Sequence, residues 1–133
     1  MKTARILAAA LLIVAGGLAL RVARSQQAAI KRTELQRHDL SIPGREAIQV
    51  RGDFPAGAAV PRHTHPGEEI SYVMEGEGEI LIEGQPALKV KAGDGFIVPN
   101  GAKHDARNTG TQTMKLAAIY VVEKGKPLAT PAP

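Results

Sequence analysis

An all-β sandwich or barrel is the fold class this sequence predicts. Three observations carry it. After residue 25 the apolar residues come in short runs, broken repeatedly by Gly, Pro, Asn and Asp. The segment Glu46 to Phe54 alternates with a period of two, which puts Ile48, Val50, Gly52 and Phe54 on one face of a strand. No internal repeat and no long helical period compete with these signals beyond the first residues of the chain.

The start is a leader rather than part of the fold. Met1-Lys2-Thr3-Ala4-Arg5 is basic, Ile6 to Leu20 is apolar, and small residues follow at Ala23 and Ser25. That order is the grammar of a secretory signal, and the apolar run is short for a membrane span, which needs about 20 residues. Arg24 sits inside the best small-x-small triplet, so residues 1–25 are expected to be a signal peptide or an uncleaved membrane anchor attached through residues 6–20. The expected location is periplasmic or secreted, with an inner-membrane anchor facing the periplasm as the alternative.

Residues 26–40 read as a linker, polar or briefly helical from Ser25 to Lys31, followed by a first edge strand; residues 41–122 hold the barrel. The expected strands are Glu46–Phe54, Val60–His65, Ile70–Glu75, Glu79–Glu83, Ala87–Lys91, Phe96–Val98, Lys103–Arg107 and Met114–Val122. The turns between them are marked by Gly76 or Gly78, Glu83-Gly84-Gln85-Pro86, Ala92-Gly93-Asp94-Gly95, Pro99-Asn100-Gly101 and Asn108-Thr109-Gly110. Met114–Val122 is apolar on both faces, which calls for cover on both sides and points to a homodimer. The tail, residues 123–133, is rich in Pro, Ala, Gly and Lys, and is expected to be flexible or an arm laid on a neighbouring subunit.

Charge and cysteine content exclude whole classes of function. Four of the 17 basic residues lie in the leader and none of the 13 acidic residues does, so the remainder of the chain is neutral. The basic footprint of a nucleic-acid binder is absent. With no cysteine, disulfide staples and thiolate metal ligands are excluded too.

Four residues then form a metal-ligand pattern. His63 and His65 are two apart, so an extended chain points both to one face. Glu69 follows His65 across a Pro66-Gly67 turn, and His104 comes from a later strand. Three imidazoles and a carboxylate suit one divalent transition metal – Mn, Fe, Ni, Co, Cu or Zn – and leave positions open for water, substrate or dioxygen. Glu68 competes with Glu69, but the spacing from His65 favours Glu69. His38 reads as structural or exposed. Tyr72 and Tyr120 read as packing residues, Arg51, Arg62 and Arg107 as solvated charges, and Glu75, Glu77, Glu79 and Glu83 as the polar face of a hairpin.

The frame around the ligands resembles the cupin superfamily. The first motif is Gly57, His63, His65, Glu69 and Gly76, and the second is Gly93, Pro99, Gly101, His104 and Asn108, with every gap in the family's range. The resemblance implies a small double-stranded β-helix, or jelly-roll barrel, holding one metal on His63, His65, Glu69 and His104. It implies a metal-dependent enzyme acting on a small organic molecule, dioxygenase-like first and isomerase or decarboxylase next, with Glu69 able to leave the metal and act as a base. The alternatives are a non-catalytic periplasmic binder of a small ligand or metal, and a scaffold stapled by the metal.

Overall fold

A computed structural model describes residues 29–133. The expected leader, residues 1–25, and the start of the linker lie outside these described residues. The described chain is a succession of ten strands: β1 (Lys31–Asp39), β2 (Arg45–Phe54), β3 (Ala59–Thr64), β4 (Gly67–Glu75), β5 (Glu77–Ile82), β6 (Leu88–Lys91), β7 (Gly95–Val98), β8 (His104–Asn108), β9 (Met114–Glu123) and β10 (Thr130–Pro131). No helix is found among the described residues.

The strands form two five-stranded antiparallel sheets, ordered β1-β2-β9-β4-β7 and β10-β3-β8-β5-β6. Partners far apart in sequence, such as β2 with β9 and β5 with β8, wind the chain back and forth between the two sheets. This is the jelly roll. Alternation drives it: in β2 every second residue from Glu46 to Phe54 is buried, and β4 and β5 repeat the pattern.

Two apolar clusters fill the space between the sheets. The larger contains Phe54, Val73, Ile80, Ile82, Val90, Phe96, Val98, Met114 and Leu116. The smaller joins Ile48, Val50 and Val122, with Tyr120 and Leu128 packed against it. Each fully buried Ile, Val or Met contributes about 1.5–3 kcal/mol relative to exposure.

Turns and close approaches explain the motif glycines. The turn after β4 uses Gly76, at φ 78°, where a Cβ would stand 2.8 Å from Met114 Cα. Gly78 belongs to strand β5 rather than to that turn, and is required for space. A Cβ there would meet the Met114 sulfur and the Arg107 carbonyl oxygen at 2.6 Å.

Two sequence expectations change in the structure. The lead-in to the barrel is not helical where it is described, because Lys31 already begins the edge strand β1. The tail folds back onto its own chain: Thr130 and Pro131 pair with Thr64 and His63 of β3, and Ala132 N donates to Arg62 O at 3.0 Å. A polar, proline-rich segment gives no local signal of such pairing, since the partner edge exists only after the barrel has formed.

Candidate metal centre

Both sheets contribute to the site. His63 on β3 lies directly opposite His104 on β8 in the strand register. His65 follows the last residue of β3, just before Pro66 leads into β4. From the other sheet, β4 presents Glu69, which pairs in register with Val98 on one side and Tyr120 on the other. Glu68 is exposed, so alternation along β4 turns only Glu69 inward. The structure thus brings His63, His65, Glu69 and His104 together.

The three imidazole rings have centroids 4.8, 4.2 and 4.9 Å apart, and one donor nitrogen from each lies within 4.8 Å of the others. Each ring is oriented by a backbone carbonyl. His63 Nδ1 donates to Pro61 O at 2.8 Å, His65 Nδ1 to Leu128 O at 2.6 Å, and His104 Nδ1 to Ala102 O at 3.0 Å. With the proton held on Nδ1, the neutral ring keeps a bare lone pair on Nε2.

Those Nε2 atoms face a carboxylate. Glu69 Oε2 lies 3.1 Å from His65 Nε2 and 3.4 Å from His104 Nε2. His104 Nε2 is buried and makes no hydrogen bond. Lone pairs aimed at a buried carboxylate repel it unless a proton or a metal cation stands between them. A divalent ion satisfies all of these groups at once, and the orienting carbonyls are the outer partners that metal-binding histidines need. The residues therefore fit a metal with N/O preference.

The protonation equilibria agree. Without a metal, protonated imidazoles would have to fill the same place: burial opposes ionisation of Glu69, but the neighbouring His104 and His65 rings and the Ser71 hydroxyl outweigh it and hold the carboxyl down at about 2. Ser71 Oγ donates to Glu69 Oε1 at 2.6 Å, which fixes the second oxygen. Burial lowers the His63 pKa, keeping it in the neutral, ligating form. Burial also pulls His104 down, but the Glu69 carboxylate beside its ring prevails and raises it. That pull is the field that would hold a cation.

Two spaces adjoin the centre. An interior cavity of about 40 Å³ lies between the apolar clusters and touches His63, Glu69 and His104. A wider cleft of about 490 Å³ opens over His63 and His65, walled by Val50, Val60, Tyr120 and Leu128. The inner space suits an ion and water molecules; only the outer one falls in the roughly 300–1,000 Å³ of small-ligand sites.

Three features of the site escaped the sequence. Tyr120 reads as packing, yet its ring stands edge-on to His65 at 4.7 Å and lines both spaces. Burial and the Glu69 charge raise its pKa, so it stays a protonated donor. Arg32, from the edge strand, also lines both spaces. The Leu128 carbonyl comes from the tail, where no side chain could signal its role. Among residues expected to be inert, Arg51 pairs with Asp53, Arg107 with Glu79, and Arg62 lies 3.9 Å from Glu83. Asn108 is buried: its Nδ2 donates to Phe54 O and Gln112 O, and its Oδ1 accepts from Gly110 N.

Comparison with known proteins decides the family. Residues 50–122, more than half of the chain, match the family described as Cupin domain. The chain belongs to the cupin family. Among curated relatives, this cupin is 40% identical over 63 residues to the dimethylsulfoniopropionate lyase DddQ of Ruegeria pomeroyi, covering 47% of this chain and 31% of that protein. It is 32% identical over 81 residues to an acireductone dioxygenase of Rhodopseudomonas palustris, covering 55% of this chain and 49% of that one. The cupin thus spans between about a third and a half of these relatives. Among solved structures, a double-stranded β-helix protein from Klebsiella pneumoniae superposes with a TM-score of 0.64 at 21% identity, covering 80% of this chain and 90% of that one. The crystal structure of DddQ superposes with a TM-score of 0.57 at 28% identity, covering 65% and 43%.

Proposed function

We propose that this cupin is an exported, metal-dependent enzyme acting on a small organic molecule, with dioxygenase-like chemistry as the first reading. The observation that carries it is the convergence of three carbonyl-oriented imidazoles and the ionised Glu69, with two of them, His63 and His65, lining an open cleft. A bound divalent ion would supply Lewis acidity to a substrate oxygen, or activate water or dioxygen. His63, His65, Glu69 and His104 would hold it. Glu69 would bring negative charge to the ion, its second oxygen held by Ser71 Oγ, and would act as a base on leaving the ion. The raised pKa keeps Tyr120 a protonated phenol, able to donate a hydrogen bond to substrate in the cleft. The open cleft supports substrate entry from the His63 side.

A second reading is lyase chemistry. The 40% identity over 63 residues to a lyase favours it. Both readings predict roughly one divalent ion per chain, lost in His63→Ala or His104→Ala while circular dichroism still reports a folded barrel. Oxygen-electrode assays of the metal-loaded protein would then separate them. Oxygen uptake with an enediol, diketone or catechol selects the dioxygenase. Product release from dimethylsulfoniopropionate without oxygen uptake selects the lyase. Metal binding with neither activity sinks both and leaves a periplasmic binder. N-terminal sequencing of protein from the native compartment tests export and cleavage near residue 25.

A further inference from the structure

We infer that Arg32 forms an anion subsite, and that the molecule entering the cleft is a small carboxylic acid. The inference rests on the metal-centre reading above and adds the substrate class to it. Six arginines lie among the described residues. Five are engaged: Arg37 with Glu34 and Glu46, Arg45 with the Pro66 carbonyl, Arg51 with Asp53, Arg62 with Glu83, and Arg107 with Glu79. Arg32 alone makes no hydrogen bond or ion pair with any described residue, and it is the one that borders both the inner cavity and the outer cleft.

Its position follows from the sheet. Arg32 stands opposite Gly52 in the β1–β2 register. Glycine adds no side chain on the strand beside it. Its neighbour on the cleft, Glu34, is already taken: both oxygens of that carboxylate accept from Arg37, at 3.1 and 3.0 Å. The mouth of the cleft therefore carries an unspent positive charge.

The rest of the cleft matches a short acid. Val50, Val60 and Leu128 offer apolar walls to a carbon stem. His63 and His65 line the same cleft, where a second polar group of the ligand would meet the metal. A guanidinium recognises a carboxylate through two parallel N–H bonds, which fixes orientation as well as supplying attraction. An acid held by Arg32 would direct its other end to the centre.

The test is calorimetric titration of propionate and acrylate, with propionamide as the neutral control, into the metal-loaded full chain, Arg32→Gln and Arg32→Lys. The acids are expected to bind the wild type more tightly than the amide. Arg32→Gln should weaken acid binding by about ten- to a hundred-fold and erase the preference over the amide, with metal content unchanged. Arg32→Lys should keep part of the preference. Arg32 is exposed and unpaired, so both variants should fold. Equal affinity for acid and amide, no acid binding to the wild type, or acid binding that survives Arg32→Gln because the carboxylate sits on the metal, each overturns the subsite. The same titrations on metal-free protein separate the two claims. If the chain takes up no metal yet keeps Arg32-dependent acid binding, the subsite stands and the metal-centre reading falls.

Discussion

At the residue scale, the second motif does two jobs with two residues. His104 faces the centre, and Asn108 at the other end of β8 ties the β2 end to the loop after β8. Asn108 is buried and spends both amide protons and its carbonyl on backbone groups. Replacing it with alanine strands the Phe54 and Gln112 carbonyls and the Gly110 N–H away from good partners. Asn108→Ala should cost about 2–4 kcal/mol in denaturant unfolding. Metal stoichiometry should survive in the folded fraction, because no ligand depends on Asn108 directly. A loss below about 0.5 kcal/mol would show that water replaces the amide without penalty.

At the element scale, β3 and the tail form one unit with the site. β10 pairs with β3 at Thr64 and His63, and the Leu128 carbonyl holds the His65 ring. The tail would therefore act on a bound metal through the His65 tautomer. Without it, His65 is free to rotate or to place its proton on Nε2. Ending the chain after Glu123 should lower metal affinity by about 10- to 100-fold in chelator competition, the usual effect of losing an outer-shell partner. The thermal midpoint of the metal-free protein should move little, since both core clusters draw almost wholly on residues before 123. Undiminished metal affinity in the truncated chain would reduce the tail to a cover. The same element logic governs the start of β4. At Gly67 a Cβ would fall 2.0 Å from the Val121 carbonyl oxygen, so only glycine lets β4 approach β9 closely enough to aim Glu69 inward.

At the scale of the whole molecule, one sheet leaves an apolar outer face. Ile97, Ile70 and Ile119 stand side by side across β7, β4 and β9, and Tyr72 is exposed on the same face of β4. The row continues through Gln49 and Gln36, which are uncharged. We propose that a second copy covers this face, since an uncharged row can meet its own two-fold mate without like charges in contact. Ile70→Glu should then shift the sedimentation profile from dimer to monomer while leaving metal content unchanged. A wild-type chain that sediments as a monomer at high concentration would sink the pairing.

Much of this protein was legible in its residues. Period-two alternation marked β2, and turn residues separated the strands, because both depend on local backbone geometry. Alternation put His63 and His65 on one face, and the resemblance to the cupin motifs implied that Glu69 and His104 join them, since those strands meet only in the folded barrel. What only the tertiary structure decided are contacts between elements far apart in sequence. Arg32 reaches the cleft from an edge strand, Tyr120 stands against His65, and the Leu128 carbonyl grips a histidine 63 residues earlier. A backbone carbonyl has no residue signature, and an arginine's partner is set by which charges the fold leaves nearby. The metal pattern was therefore readable from alternation and motif resemblance, whereas the surroundings that would select its substrate were written only in the closed barrel.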